Sequence, residues 1–593
     1  MLTEKITTKN IAVLSAIVII GFSIVVLRLW QLQVLQGSEL RKISESNRLR
    51  VIGVPAPRGI IFDRNSIPLV KNSPYFCVSV IPDEFVPATL PGLARLLEAP
   101  EEALSAKLNR KGQSPFIPVR LKEGLSFMEV SRVEARKSDF PGLFIDIEVS
   151  RDYIYGSTGS HLIGYLGKPT PDQLKDEAFH DVPPDAFIGQ WGVEKLFDKS
   201  LRGTAGRRVI EVDALGREIR LLKEVPPVKG TDITLSVDIA LQQEAEKAFE
   251  GRPGALVALQ PDTGELLGLV SSPSFDPNEF STGISPGAWA GLMQDKNLPM
   301  LNRAVQSQYP PGSTFKIIMS IAGLEAGVIH DDTAVTCKGG LSFGKWHFGC
   351  WRKGGHGSVS LHRAVVESCD VYFYEVGKRL GIDRIYDYAA RLGLGRETGI
   401  PLCSEKKGLI PNTAWKMAAR KSPWYMGETF VNSIGQGYVS TTPVQMAVMM
   451  AGVSNGGRIY RPLLLKGSAP ALVSTANVKA ETLEIVKRYL SGVVNEPGGT
   501  AHSAHSTVTT IGGKTGTAQV VGIRKDSKYL SEKFRDHAWF VAFAPVEKPD
   551  IALSVLVEHG GHGGSAAAPI AKKAIEAYLL PPEKKMEILD VQD

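Results

Sequence analysis

Tyr309-Pro310-Pro311-Gly312-Ser313-Thr314-Phe315-Lys316 is the stretch on which the reading of the whole chain turns. Pro-Pro-Gly is a turn signal, and Ser-Thr directly after it is a helix start. Residues 314–327 are apolar at helical spacing, with Lys316 and Glu325 as their only charges. The pattern predicts a helix that starts at Ser313 and carries Lys316 one turn on, on the same face. An amine would then lie beside a hydroxyl, at a helix end that favours developing negative charge. A serine attacks a carbonyl only when a neighbouring base takes its proton. An amine can be that base when burial or a second cation lowers its pKa. S-x-x-K alone arises by chance roughly twice in a chain of this length at average residue usage, so its weight depends on what accompanies it.

Two further stretches accompany it. Ser368-Cys369-Asp370 lies in a helix-like run over 365–380. Lys514-Thr515-Gly516-Thr517 follows Ile511-Gly512-Gly513 and precedes Ala518-Gln519-Val520. S-x-x-K, S-D-N and K-T-G in this order are the serine acyl-transfer signature of class A β-lactamases and penicillin-binding proteins. On these motifs the chain resembles a class B penicillin-binding protein, a peptidoglycan D,D-transpeptidase. The middle motif ends in Asp370 where most relatives carry asparagine. S-x-D is the form of the elongation-specific penicillin-binding protein 2 group, so the chain looks most like that group. Arg58-Gly59-Ile60-Ile61-Phe62-Asp63-Arg64-Asn65, Ser150-Arg151-Asp152-Tyr153 and the stretch 189–206 extend the resemblance through the N-terminal half.

The resemblance implies an α/β penicillin-recognising (serine β-lactamase-like) transpeptidase domain, an α+β N-terminal pedestal and one N-terminal transmembrane helix. It implies Ser313 as nucleophile, Lys316 as its base and Ser368 as proton shuttle. Asp370 would bond Lys316 or orient the peptide. Lys514 would supply positive field, while Thr515 and Thr517, on an edge strand opened by Gly512, Gly513 and Gly516, would take the substrate carboxylate. Ser313 and Thr517 backbone N–H groups would form the oxyanion hole. The implied substrate is a stem peptide ending D-Ala-D-Ala, with β-lactams acylating the same serine. Implied partners are the rod-system SEDS glycosyltransferase and scaffold proteins of the elongation complex. On this reading Lys316→Ala abolishes acylation with little change in stability.

Composition sets the bounds. The chain has 593 residues, enough for about three or four domains. Its 43% hydrophobic and 22% charged content is ordinary globular usage, and the net charge of +6 is spread without a basic cluster interleaved with aromatics. That argues against nucleic acid as a partner. Residues 11–27 are uncharged and apolar, at the short end for a membrane span, and no small-x-small cleavage site follows. A membrane anchor is the reading, with a cleaved signal peptide as the rival. Lys5 and Lys9 precede the span, and Arg28, Arg41 and Lys42 follow it, so the positive-inside count does not orient it. The family's substrate places the bulk of the chain in the periplasm.

The expected organisation is a cytoplasmic tail (1–10), a transmembrane helix (11–30), a pedestal or dimerisation-type domain (31–225), the transpeptidase domain (226–580) and a mobile charged tail (581–593). Within the pedestal, residues 85–140 read as an inserted head of short helices. Ser44 to Arg48 reads as a link into a strand at 51–54. Arg58, Asp63, Arg151 and Glu194 read as a structural ion-pair network. Thr231 to Asp238 alternates like a strand, 239–249 reads as a helix, and 254–259 with 266–271 as a hairpin. Strands at 537–543 and 551–557 close the sheet, and a last helix covers 567–579. His537 reads as a core histidine and Gly560 to Gly564 as a turn. Trp346, Trp351 and Trp424 either line a cleft or pack in the core.

Cys337, Cys350, His356 and Cys369, spaced x12, x5 and x12, include three of the five cysteines in the chain. Cys₃His is a tetrahedral zinc set, though the spacing departs from the short C-x₂₋₄-C knuckle. Penicillin-binding protein 2 relatives can carry zinc at matching positions, so the resemblance implies one structural zinc here and no cofactor for catalysis. A Cys337–Cys350 disulfide and three packed free thiols are the alternatives. Cys77 and Cys403 stand outside the set. Other functions on the same residues are a division-specific transpeptidase, a D,D-carboxypeptidase or β-lactamase-type hydrolase, and a non-catalytic β-lactam sensor.

Overall fold

The computed structural model describes residues 2–38, 40, 49–109, 118–180, 182–183, 186–213, 218–519 and 534–589. The link expected at Ser44 to Arg48 lies outside them. Helix α1, Leu2–Trp30, runs into a π turn at Gln31–Leu35. Asn10–Leu35 has a mean hydropathy of 2.7 and none of it is buried, so it is long and apolar enough to cross a membrane.

The rest forms two compact units that interleave along the chain. One comprises Met1–Arg58, Pro74–Val149 and Arg202–Gly230; the other comprises Gly59–Ser73, Ser150–Leu201 and Thr231–Asp593. The first contains an antiparallel sheet of Leu49–Val54, Gly206–Val212 and Glu218–Val225. It also contains the head expected at 85–140, where Leu90–Leu96, Glu101–Leu108 and Phe127–Ala135 are helical. Leu93, Leu97, Leu104, Leu121, Val133 and Phe140 give this head its own apolar core.

In the second unit Arg151 and Glu194 form the expected ion pair, Nε to Oε1 at 2.7 Å, with both side chains fully buried. Asp63 is different: it accepts the backbone N–H groups of Asn65, Ile67 and Ile239 rather than an arginine. Removing one member of a buried pair strands the other charge, so Glu194→Ala is expected to cost about 3–5 kcal/mol. Denaturant unfolding measures this, and a loss under about 1 kcal/mol would place another counter-charge on Arg151.

The larger sheet grows from both ends of the second unit. Asp238 caps α2, Ile239–Phe249, by accepting from Ala240 and Leu241. Then come β1, Gly254–Leu259, and β2, Leu266–Ser272. The helical lobe contains α3, Lys316–Glu325; the hairpin β3, Gly340–Phe343, with β4, Trp346–Gly349; α4, Leu361–Val366; α5, Asp370–Leu380; α6, Met426–Ser433; and α7, Pro443–Ser454. Strands β5, Gly512–Ala518, β6, His537–Ala544, and β7, Ile551–Val557, close the sheet before α8, Ala568–Leu579, and α9, Pro582–Ile588. The order is β2-β1-β7-β6-β5, antiparallel throughout, with β5 at an edge.

Strand alternation puts helices on both faces. A Cβ on Gly254 would meet the Phe249 ring of α2. Val257, three residues on and so on the other face, pairs with Ser554, whose Oγ donates to Pro443 O of α7. Every residue of α7 is buried, which is why its sequence is apolar all round.

Two expectations change. Only Ile233–Thr234 of the 231–238 stretch is strand, paired in parallel with Ile61–Phe62, because Asp238 is used as a cap. Of the tail expected to be mobile, Pro582–Ile588 folds as α9, where buried Lys585 donates to Asp238 at 2.5 Å, and residues 590–593 lie outside the described ones.

Candidate functional site

Ser313 lies in a 3-10 turn, Gly312–Phe315, and Lys316 is the first residue of α3. The α-helix thus starts later than the sequence pattern suggests. Gly312 has φ +56° and its missing Cβ would meet Thr517 O at 2.6 Å, so only glycine fits where the turn crosses β5. Gly516 repeats the device from the other side, since a Cβ there would meet Pro311 O at 2.7 Å. The first and third motifs are therefore in backbone contact. Trp539 Nε1 holds the turn from below by donating to Pro310 O at 2.9 Å.

Lys316 is fully buried and its ammonium faces the second motif. Nζ donates to Asp370 Oδ1 at 2.7 Å, Ser368 O at 2.9 Å and Ser368 Oγ at 3.1 Å. Those are the three protons an ammonium has. The bond to Asp370 is the one the resemblance implies, and among the described residues Ser313 Oγ has no hydrogen-bond partner.

The second motif does not sit inside one helix, as the run 365–380 suggests. α4 ends at Val366, α5 begins at Asp370, and Ser368 in the break has φ +56°. That conformation costs a non-glycine residue roughly 1–2 kcal/mol, and it turns the Ser368 carbonyl to Lys316. Asp370 opens α5, where the helix end favours its charge. Its other oxygen, Oδ2, accepts the Trp351 backbone N–H at 2.9 Å.

Lys514 is fully buried on β5, where, among the described residues, its one hydrogen bond goes to Thr515 O at 3.3 Å. Burial first, and then the neighbouring Lys316, push its pKa well below the usual lysine value, with Asp370 opposing. Thr515 Oγ1 lies 2.9 Å from Thr500 Oγ1, and Thr517 O accepts Gln436 Nε2 at 2.9 Å. Thr500, Gln436 and Trp351 are site residues the motifs did not name. The signal for Gln436 was present in Gly435-Gln436-Gly437. A Cβ on Gly435 would meet Gly312 O at 2.2 Å, so this loop lies directly on the serine turn. Thr500 follows Gly498-Gly499 and carried no comparable signal.

The remaining candidates separate cleanly. His537 accepts the His559 backbone N–H on Nδ1, and burial lowers its pKa to about 4, as suits a structural histidine. Gly560 and Gly561 turn the chain into the short helix Gly563–Ala566. Trp424 is half-buried and donates to Thr429 Oγ1, whereas Trp346 and Trp351 are 64% and 59% exposed and so are not core residues.

Cys337, Cys350, His356 and Cys369 are all buried, and their ligand atoms lie within 4.8 Å of one another. His356 Nδ1 is 3.6 Å from both Cys337 Sγ and Cys350 Sγ. Tetrahedral zinc bonds of about 2.3 Å to sulfur and 2.0–2.1 Å to nitrogen give an S···N edge of about 3.6 Å. The donor set therefore fits zinc through Nδ1. His356 Nε2 is buried without a hydrogen-bond partner, 3.9 Å from Glu367 Oε2, where a carboxylate orients a ligating imidazole. All five cysteines are free, so the disulfide alternative is not formed. Cys350 and Cys369 share a hydrogen bond that lowers the Cys350 pKa and raises that of Cys369.

Comparison with known proteins follows this geometry. Residues 254–576 match the model described as the penicillin binding protein transpeptidase domain, and residues 53–235 match the penicillin-binding protein dimerisation domain. Peptidoglycan D,D-transpeptidase MrdA of Acinetobacter baumannii is 38% identical over 585 residues, covering 96% of this chain and 87% of the relative. The complex between Penicillin-Binding Protein (PBP2) and MreC from Helicobacter pylori contains a chain that superposes with a TM-score of 0.78 at 30% identity, covering 89% of this chain and 98% of that one. A structure of a peptidoglycan synthase complex, described as coordinating polymerization and crosslinking, gives a TM-score of 0.73 at 31% identity, with 97% and 99% coverage. The three motifs that meet around Lys316 all fall inside the matched transpeptidase segment, and the chain belongs to the penicillin-binding protein transpeptidase family.

Proposed function

We propose that this protein is a peptidoglycan D,D-transpeptidase of cell elongation, which crosslinks stem peptides through an acyl-enzyme on Ser313. The observation that carries the reading is the binding of Lys316 Nζ to both Ser368 and Asp370, beside the turn that presents Ser313. Ser313 Oγ attacks the penultimate carbonyl of D-Ala-D-Ala, and its proton passes through Lys316 and Ser368 to the leaving D-Ala amine. For Lys316 to accept that proton, one of its three hydrogen bonds must open and its amine must first be neutral. Ser313 and Thr517 N–H groups hold the oxyanion, each donor being worth about 3–4 kcal/mol. An amine from a neighbouring stem peptide then displaces Ser313 and forms the crosslink.

Thr515 and Thr517 take the terminal carboxylate beside Lys514. A carboxylate bound there raises the Lys514 pKa again, so the complex holds more protons than its free components. Affinity for a carboxylate ligand should then fall as pH rises through the window between the free and bound values. Titration calorimetry in two buffers of different ionisation enthalpy measures the proton uptake. Zero uptake across the alkaline range would separate Lys514 from the carboxylate.

One zinc on Cys337, Cys350, His356 and Cys369 serves as a structural ion; catalysis uses no cofactor. α1 anchors the chain in the cytoplasmic membrane, residues 1–10 stay in the cytoplasm, and the 31–225 pedestal and the catalytic domain (226–580) lie in the periplasm. The partners are a SEDS glycosyltransferase of the rod system and MreC-type scaffold proteins. Product analysis tests the reading on glycan strands polymerised in the same membrane. Crosslinked dimers that vanish with Ser313→Ala support it. Free D-Ala without dimers would make the protein a carboxypeptidase instead.

A further inference from the structure

Trp351 is more than half exposed, yet its two N–H groups donate to three acceptors at and just before the second motif. Its backbone N–H donates to Asp370 Oδ2 at 2.9 Å. Its indole N–H is shared between Ser368 O at 3.0 Å and Glu367 O at 3.1 Å. With its ring mostly in water and one edge contact to His356, this tryptophan gains little from burial, so its polar contacts weigh heavily in where it sits.

Those contacts fall on the groups that hold the proposed base. Lys316 Nζ is bonded to Ser368 O, Ser368 Oγ and Asp370 Oδ1. Trp351 holds the same Ser368 carbonyl on its second lone pair and the same Asp370 carboxylate on its second oxygen. Ser368 is also the residue that departs from helical geometry, at φ +56°, between α4 and α5. A left-handed serine at a helix break relaxes unless its peptide groups are held. The indole N–H reaches the carbonyls on the entry side of the break, and the Trp351 N–H reaches the carboxylate on the exit side.

We propose that Trp351 is a positioning residue for acyl transfer: it clamps both sides of the Ser368–Asp370 break and so fixes where the Lys316 amine lies. The proposal rests on the reading of Ser313, Lys316 and Ser368 given above. Trp351 adjoins Cys350, so its backbone is tied to the Cys₃His cluster, and its ring meets the His356 ring of that cluster edge-on at 5.5 Å, whereas the indole N–H bonds only the carbonyls of Glu367 and Ser368. The N–H can therefore be tested apart from the cluster by a variant that keeps the ring.

Trp351→Phe keeps the backbone N–H and an aromatic ring and removes the indole N–H. Benzothienylalanine at position 351, in which sulfur replaces that N–H, preserves the shape as well. Stopped-flow acylation by benzylpenicillin separates the non-covalent dissociation constant from the acylation rate constant. Tm and bound metal are measured on the same samples. Both variants are expected to acylate about tenfold more slowly, the loss of roughly one hydrogen bond, with dissociation constant, metal content and Tm close to wild type. Wild-type acylation in the benzothienylalanine variant overturns the proposal, since shape alone would then suffice. Slower acylation that comes with lost metal or a lowered Tm in that variant overturns it in favour of a structural role. A raised dissociation constant with an unchanged rate constant overturns it in favour of a ligand contact. Absence of any adduct in the wild-type protein would instead refute the Ser313 reading.

Discussion

Ser313→Ala is expected to leave the protein folded and to abolish its covalent reaction with β-lactams. The hydroxyl has no hydrogen-bond partner among the described residues, and the turn is held by Gly312, Trp539 and the backbone contact with β5. Removing it therefore empties no bond, and Tm should stay within about 2 °C, a shift worth under 1 kcal/mol in a unit of this size. The rate effect is of another order, since loss of the nucleophile of a serine acyl-transfer site costs about 10⁴–10⁶-fold. Intact mass after exposure to benzylpenicillin should show one adduct per wild-type chain and none on the variant. An adduct that persists on Ser313→Ala would remove Ser313 from its role. Lys316→Ala should also abolish the adduct, but the structure changes the expectation for stability. The sequence suggested a nearly neutral change. Lys316 is instead fully buried against Asp370, and truncating one partner of such a pair costs about 3–5 kcal/mol. Relief of Lys514, which Lys316 repels, offsets part of that cost. Equal Tm values for wild type and Lys316→Ala would show the offset to be complete.

Those two variants mark what was legible in the sequence. The three motifs named the residues that meet, because their order and local patterns are tied to specific elements: a turn into a helix, a helical run and an edge strand. α2 and the strands at 254–259 and 551–557 could be read directly, since their apolar patterns are buried as patterned. What did not show was direction. S-x-x-K by itself does not say that the lysine bonds a motif beyond the next helix; only the resemblance implied its contact with Asp370. Nor does an apolar run over 365–380 announce a break at Ser368, because the left-handed conformation is held by Lys316 and Trp351, which are remote in sequence. For Trp351 itself the sequence left a cleft and a core equally open. The interleaving of Gly59–Ser73 and Ser150–Leu201 with the catalytic unit was hidden for a similar reason. It depends on pairings such as Ile61 with Ile233, which no local pattern encodes.

Stripping the proposed zinc is the second change expected to have a large effect, and it should lower stability and acylation together. The loop from Cys337 to Gly357 has little to fold around. Phe343 and Trp346 on the β3–β4 hairpin are exposed, and the hairpin is held by ring contacts of Phe343 and Phe348 with Phe430 and by Tyr374 donating to Gly349 O. The Cys₃His cluster is what ties its two ends to the break before α5, since Cys369 lies between Ser368 and Asp370. Structural zinc in isolated fingers supplies about 10–16 kcal/mol of folding free energy, and a loop on a preformed domain should draw a fraction of that. With each 1 kcal/mol worth roughly 2–4 °C in a unit of this size, removal should lower Tm by about 10 °C or more. Acylation should slow at least about tenfold, because Trp351, next to Cys350, loses its hold on Asp370. Elemental analysis of the purified protein should give about one zinc per chain. Chelation followed by zinc repletion should restore both Tm and rate. Metal-free protein with full acylation and unchanged Tm would leave the cluster as packed thiols. A chain lighter by two protons that regains them on reduction would make Cys337 and Cys350 a disulfide.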